Sequence, residues 1–169
     1  MIVSARHALP LICLLTGFFG QVIVVKAAPF DYPNHPDLKH LHTSADMASA
    51  YDLVFVGDGY TVAQRDKFFA DADMISAGLL NYGPYKDSKP LLNAHALFVP
   101  SAQSGADHPA AQHLVDTAFD GSFDSFGIPH LVTAETAKVL NAVAEVMPAY
   151  DLIVLIVNDS AYGGSGGQI

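Results

Sequence analysis

The sequence predicts a three-layer α/β domain with a largely parallel sheet, and two observations carry that reading. Short apolar runs that end at glycine or proline alternate with stretches of helical periodicity, the arrangement that places helices on both faces of a sheet. The run Asp151-Leu152-Ile153-Val154-Leu155-Ile156-Val157 is apolar after its first residue, as expected of a strand covered on both faces. At 169 residues and 51% hydrophobic, the chain can build one domain with a substantial core.

The first strand is Leu53-Val54-Phe55-Val56, closed by Gly57-Asp58-Gly59. Thr61 then opens a helix, with Gln64 three residues on completing a capping box. Phe68, Ala72, Ile75 and Leu79 form its core-facing stripe, and Asn81, Gly83 and Pro84 end it. Ala96-Leu97-Phe98-Val99 reads as a second strand, followed by a polar loop from Ser101 to Pro109 and helical turns around Ala110 to Phe119. Gly121 to Pro129 reads as irregular, with Phe123 and Phe126 available to pin it. Thr133 is the expected cap of a second clear helix lined by Val139, Leu140, Val143 and Met147, and Pro148 stops it. Asp151–Val157, the strongest strand, is expected at the centre of the sheet.

Ahead of this lies a leader. Arg6 and His7 precede an apolar run from Ala8 to Val25, and Val25-Lys26-Ala27 supplies small residues for cleavage, so residues 1–27 read as a signal peptide. An uncleaved anchor is the competing reading, because the run approaches the length of a membrane span. Export to a secreted or periplasmic location, with no membrane attachment after cleavage, is the expectation. The one cysteine, Cys13, falls in the leader, so the remainder has no disulfide framework. Residues 28–50, rich in Pro, Asp and His, read as an irregular segment, and residues 51–169 as the domain.

The formal charge of −9 leaves no basic face for nucleic acid and reads as a solvated acidic surface. Eight histidines invite a search for metal ligands. None is followed by Glu, so the helical zinc motif is absent. His40 and His42, with Asp37 and Asp46 nearby, are better read as polar loop residues. His108 and His113 stand five apart, which is wrong for one helix face, and His95 and His130 are isolated in the sequence. Gly163-x-Ser165-x-Gly167 fits the spacing of a nucleophile elbow, but an elbow needs a strand leading directly into its serine, whereas several residues separate Val157 from Ser165. Val54-Phe55-Val56-Gly57-Asp58-Gly59 resembles the start of the SGNH (GDSL-type) esterases, with Gly59 where the serine nucleophile belongs; without a hydroxyl there is nothing for a base to activate.

Three segments in order carry a broader resemblance: Asp52-Leu53-Val54-Phe55-Val56-Gly57-Asp58-Gly59-Tyr60-Thr61, Ser101-Ala102-Gln103-Ser104-Gly105-Ala106-Asp107, and Tyr150-Asp151-Leu152-Ile153-Val154 with Asn158 and Tyr162-Gly163-Gly164. Together they resemble the IgA-peptidase family of zinc metallopeptidases (metallopeptidase family 64), from about Tyr51 to the C-terminus. The resemblance implies a zincin-like domain with a twisted sheet and an active-site helix bearing His-Glu-x-x-His. That helix would supply two zinc ligands and a general base. It is expected just past Ile169, so the chain reads as the N-terminal part of a peptidase domain, truncated before its active-site helix. Zinc and a protein or peptide substrate are therefore expected of the full-length parent. No zinc ligand, cofactor or catalytic residue is expected in this chain. The one site carried over is Tyr162, Gly163, Gly164, Ser165, Gly166 and Gly167, the approach to a cleft rim where a substrate backbone could pair with a strand edge. An exported, non-enzymatic module binding a peptide or glycan is the alternative from a different class.

Overall fold

The computed structural model describes residues 34–44 and 49–166. The leader 1–27, Asp46 and Gly167 lie outside the described residues. Four strands form one sheet in the order β1-β3-β2-β4: β1 (Leu38–His42), β2 (Tyr51–Asp58), β3 (Leu92–Leu97) and β4 (Leu152–Val157). β3 and β4 flank β2 in parallel, and β1 pairs antiparallel with β3. No helix among the described residues is long and apolar enough to cross a membrane.

Successive residues of β2 face opposite sides, and each side has its own helix. Leu53 and Phe55 join Phe68, Phe69, Ala72 and Leu80 of helix α1 (Arg65–Leu80) in one buried cluster. Val54 and Val56 join Val139 and Val143 of α3 (Thr136–Val146), together with Met147, in another. A short helix, α2 (Tyr85–Ser88), lies between α1 and β3. Helices thus cover both faces of a mostly parallel sheet, and the α/β class holds.

Local readings shift in instructive ways. Gln64 Oε1 accepts the Thr61 N–H at 3.0 Å, as a capping box requires, although the first turn is 3-10 before α1 begins. In α1 the buried stripe is Phe68, Phe69, Ala72, Ser76 and Leu80, whereas Ile75 is exposed. Residues 38–42, expected to be irregular, form β1, and its register sets His40 against His95. β3 starts four residues earlier than expected because Asn93 and His95 find buried partners in the sheet. Of the turns expected at 110–119 only Ala110 and Ala111 are helical, in a 3-10 turn that starts at Pro109. Phe123 is buried, but Phe126 is 89% exposed and pins nothing. Thr133 does not cap α3. Its backbone exchanges hydrogen bonds with Ser122, and the Glu135 side chain takes the cap instead.

The main correction concerns β4. It was expected at the centre of the sheet, but among the described residues it pairs with β2 alone and forms an edge. Val154 and Ile156 pack on the α1 side, and Ile153 and Leu155 on the α3 side. Covering both faces explains the apolar run. It says nothing about whether a strand has one neighbour or two.

Past the end of β2, the chain turns through Gly59 at φ +74°, where a Cβ would stand 2.0 Å from the Gly105 carbonyl oxygen. The Asp58 carboxylate is fully buried and accepts the N–H groups of Phe119 (2.9 Å) and Gly121 (2.8 Å) and the Thr117 hydroxyl (3.0 Å). Ser101 Oγ accepts from both Gly59 N and Ala118 N. The polar 101–121 loop is thereby fastened over the C-terminal ends of β2 and β4.

Gly59→Ala is expected to cost more than about 3 kcal/mol, since it combines a left-handed backbone with a backbone collision. Gly78→Ala, on the exposed side of α1 with nothing within 4 Å of the added carbon, should instead stabilise by about 0.5–1 kcal/mol. Urea unfolding midpoints of the two variants test the contrast.

Candidate functional site

The outer edge of β4, which has no strand partner among the described residues, borders a groove of about 520 Å³. Leu152 to Leu155 and Val157 form one wall, and Val132 to Ala134 with Gly163 to Gly166 form the other. Tyr85 and Asp159 are the remaining polar side chains of note. A strand edge is a row of backbone donors and acceptors that another extended chain can satisfy. A β-strand of the length of β4 (six residues) spans about 20 Å.

The opposite wall is assembled by hydrogen bonds that start at Asp58. Residues 117–121 hang on its carboxylate, and Ser122 pairs with Thr133 in a two-way backbone bridge. That bridge fixes the 130–133 segment, which in turn holds the glycine arm. Gly164 N donates to His130 O at 2.9 Å, and Ser165 Oγ donates to Val132 O at 2.7 Å. Gly163 has to be glycine for steric reasons: a Cβ there would meet the Phe123 ring at 2.5 Å and His130 O at 2.8 Å.

Of the six residues singled out in the sequence, Gly163, Gly164, Ser165 and Gly166 line the groove. Tyr162 is 92% exposed and is not among its lining residues, and Gly167 lies outside the described residues. Ser165 serves as a backbone clasp, and no strand leads directly into it, so the Gly-x-Ser-x-Gly spacing builds no elbow. At Gly59 the backbone leaves no room for any side chain, and a nucleophilic serine could not stand there in this conformation.

At one end of the groove Asp159 joins three parts of the molecule. Its Oδ1 accepts the Ala161 N–H at 2.8 Å, at the root of the glycine arm. Its Oδ2 lies 3.0 Å from His108 Nε2, whose ring stacks on Phe123 at 4.4 Å between centroids. Burial pushes the Asp159 carboxyl upward, but the Ala161 N–H, His108 and the Ala106 backbone outweigh it and hold the group below the usual carboxylate range. Sequence reasoning missed this residue. It sits two positions past β4, and its partner is 51 residues away.

The histidines combine in pairs that spacing did not reveal. His95, isolated in the sequence, is fully buried, with Nδ1 2.7 Å from His40 Nδ1 and Nε2 3.3 Å from Asp52 Oδ1. Asn93 Nδ2 donates to the same Asp52 oxygen, and the Asp52 N–H donates to Asp151. Burial, and then the neighbouring His95, push the His40 ring below the ordinary histidine range. His42 contacts the Lys89 carbonyl. Among the described residues no three His, Cys, Asp or Glu side chains converge as a metal-holding group. A protein zinc centre uses three or four such ligands, so the described residues do not fit one.

The family described as IgA Peptidase M64 matches residues 40–168, a span that runs from within β1 through the glycine arm. No curated protein matches the chain.

The Asp159 contacts give the site a pH signature. A carboxyl held low in the folded state stabilises the fold above its unfolded value, near 3.8, and that contribution is lost as pH falls through the folded value. Urea unfolding at pH 7, 4 and 2.5 should show a smaller loss below pH 4 in Asp159→Asn than in the wild-type chain. Equal losses would mean that the carboxylate contributes nothing through its partners.

Proposed function

The chain belongs to the IgA peptidase M64 family, and from that premise we propose that its α/β domain is the substrate-holding scaffold of an exported zinc-dependent peptidase. The observation that carries the reading is the groove between the pinned glycine arm and the edge of β4 that no strand covers among the described residues. An extended peptide laid there would pair its backbone with β4, while Gly163 to Gly166 let a second backbone approach closely from the other side.

The work assigned to this chain's residues is binding and orientation. β4 supplies directional hydrogen-bonding groups, and the apolar walls exclude water around the bound strand. The 130–133 segment keeps the groove at fixed width through its hold on Gly164 and Ser165. Holding a scissile bond in one orientation accounts for a large part of the barrier reduction in many enzymes. In the whole protein zinc would activate water for attack on the peptide carbonyl. The described residues provide no ligand set for it. We assign the zinc ligands to sequence other than the described residues, and this chain by itself is proposed to bind peptide without cleaving it. The leader reading supports export.

Two measurements test this reading. The purified chain should bind extended apolar peptides without hydrolysing them, and added chelator should leave binding unchanged. A longer product of the same gene that carries His-Glu-x-x-His should cleave those peptides and lose activity to chelator. Zinc-dependent hydrolysis by the chain alone would overturn the assignment of ligands. Binding that persists with no cleaving longer product would favour the non-enzymatic module.

A further inference from the structure

The groove's chemistry is uneven along its length. Its walls are dominated by aliphatic and aromatic side chains such as Phe123, Val132, Leu152 and Val154, and none of its lining residues is Lys, Arg or His. Asp159 is the one carboxylate in the lining. Its side chain keeps 16% of its surface exposed. An ionised carboxylate offers about four acceptor positions, and the Ala161 N–H and His108 contact it at 2.8 and 3.0 Å. The charge of −9 on the whole chain adds a field that favours cationic over anionic ligands.

Resting on the reading of the groove as a substrate site, we propose that Asp159 is a specificity-determining residue: the groove selects an extended peptide with apolar side chains along β4 and a lysine or arginine at the Asp159 end, and rejects an acidic residue there. A basic side chain would gain a charge-assisted hydrogen bond to a carboxylate already held in place by the glycine arm and His108. A glutamate at the same place would face Asp159 across a lining without Lys, Arg or His, and the nearby His108 ring is already engaged by the Asp159 carboxylate. Selection by attraction and by repulsion then acts at a single subsite.

The test is fluorescence anisotropy with the full chain and end-blocked peptides that share one apolar run. Lys, Gln or Glu is placed at each position of the peptide in turn. At one end position Lys should bind better than Gln by roughly five-fold, and Glu should bind worse than Gln. Asp159→Asn should abolish that order, so that the Lys, Gln and Glu peptides bind alike. Asp66→Asn, which removes the same charge from the exposed first turn of α1, should leave the order intact. Wild-type binding that is indifferent to Lys, Gln and Glu at every position would overturn the specificity assignment while the groove itself stands. So would an equal loss for all three peptides in Asp159→Asn, the mark of a merely structural role. Absence of binding by every peptide to the wild-type chain would instead remove the groove reading on which the inference rests.

Discussion

A single buried carboxylate sets the geometry of this domain beyond its sheet. Asp58 ends β2, and its buried carboxylate is met by two backbone N–H groups and a threonine hydroxyl of the 117–121 loop. Burying a charge is tolerable only when such donors are supplied, and the donors in turn are held wherever the carboxylate requires. Gly121 is packed so closely that a Cβ would reach Asp58 Oδ2 at 2.4 Å. From that anchor the order passes to the Ser122–Thr133 bridge, then to the 130–133 segment, then to Gly164 and Ser165. The groove wall is therefore a consequence of an interaction on the far side of the loop.

The opposite end of the sheet is organised by a different polar set. Asp52, Asn93, His95 and Asp151 are buried at the start of β2, within β3 and just before β4, and they bond to one another across three adjacent strands. Polar side chains inside a sheet cost stability unless their partners are in place, but satisfied ones fix register, because a slip of one residue would separate them. Here they tie β1 to the sheet as well, through His40 opposite His95. Among the described residues the two ends together leave the long side of β4 without a strand partner, and the proposed binding role rests on that surface.

The family resemblance and the α/β class were legible because they rest on local signals. Apolar runs of strand length, glycine-closed turns and helical stripes depend on neighbours a few residues away, and they recur in order along this chain. The glycine run drew attention to the arm that lines the groove, but the reason Gly163 must be small, its packing against Phe123 and His130, came only from the structure. The serine of that run was open to a false reading. The Gly-x-Ser-x-Gly spacing is a sequence pattern, whereas the clasp to Val132 is a contact over 33 residues.

The sequence by itself determined the α/β class, the strands at β2 and β4, the two long helices that cover the faces of the sheet, and the tight turn at Gly59. These follow from hydrophobic periodicity and backbone sterics, which act over one or two turns of chain. Only the tertiary structure decided that β4 is an edge, that β1 joins the sheet, that His95 sits in a buried network and that Asp159 stands at the end of the groove. A strand's neighbours are chosen by loop closure and by partners 40 to 100 residues distant, as in Asp52 with Asp151 and Asp58 with Gly121. No local pattern encodes such pairings, because each residue's own composition and periodicity are the same whichever distant partner it finds.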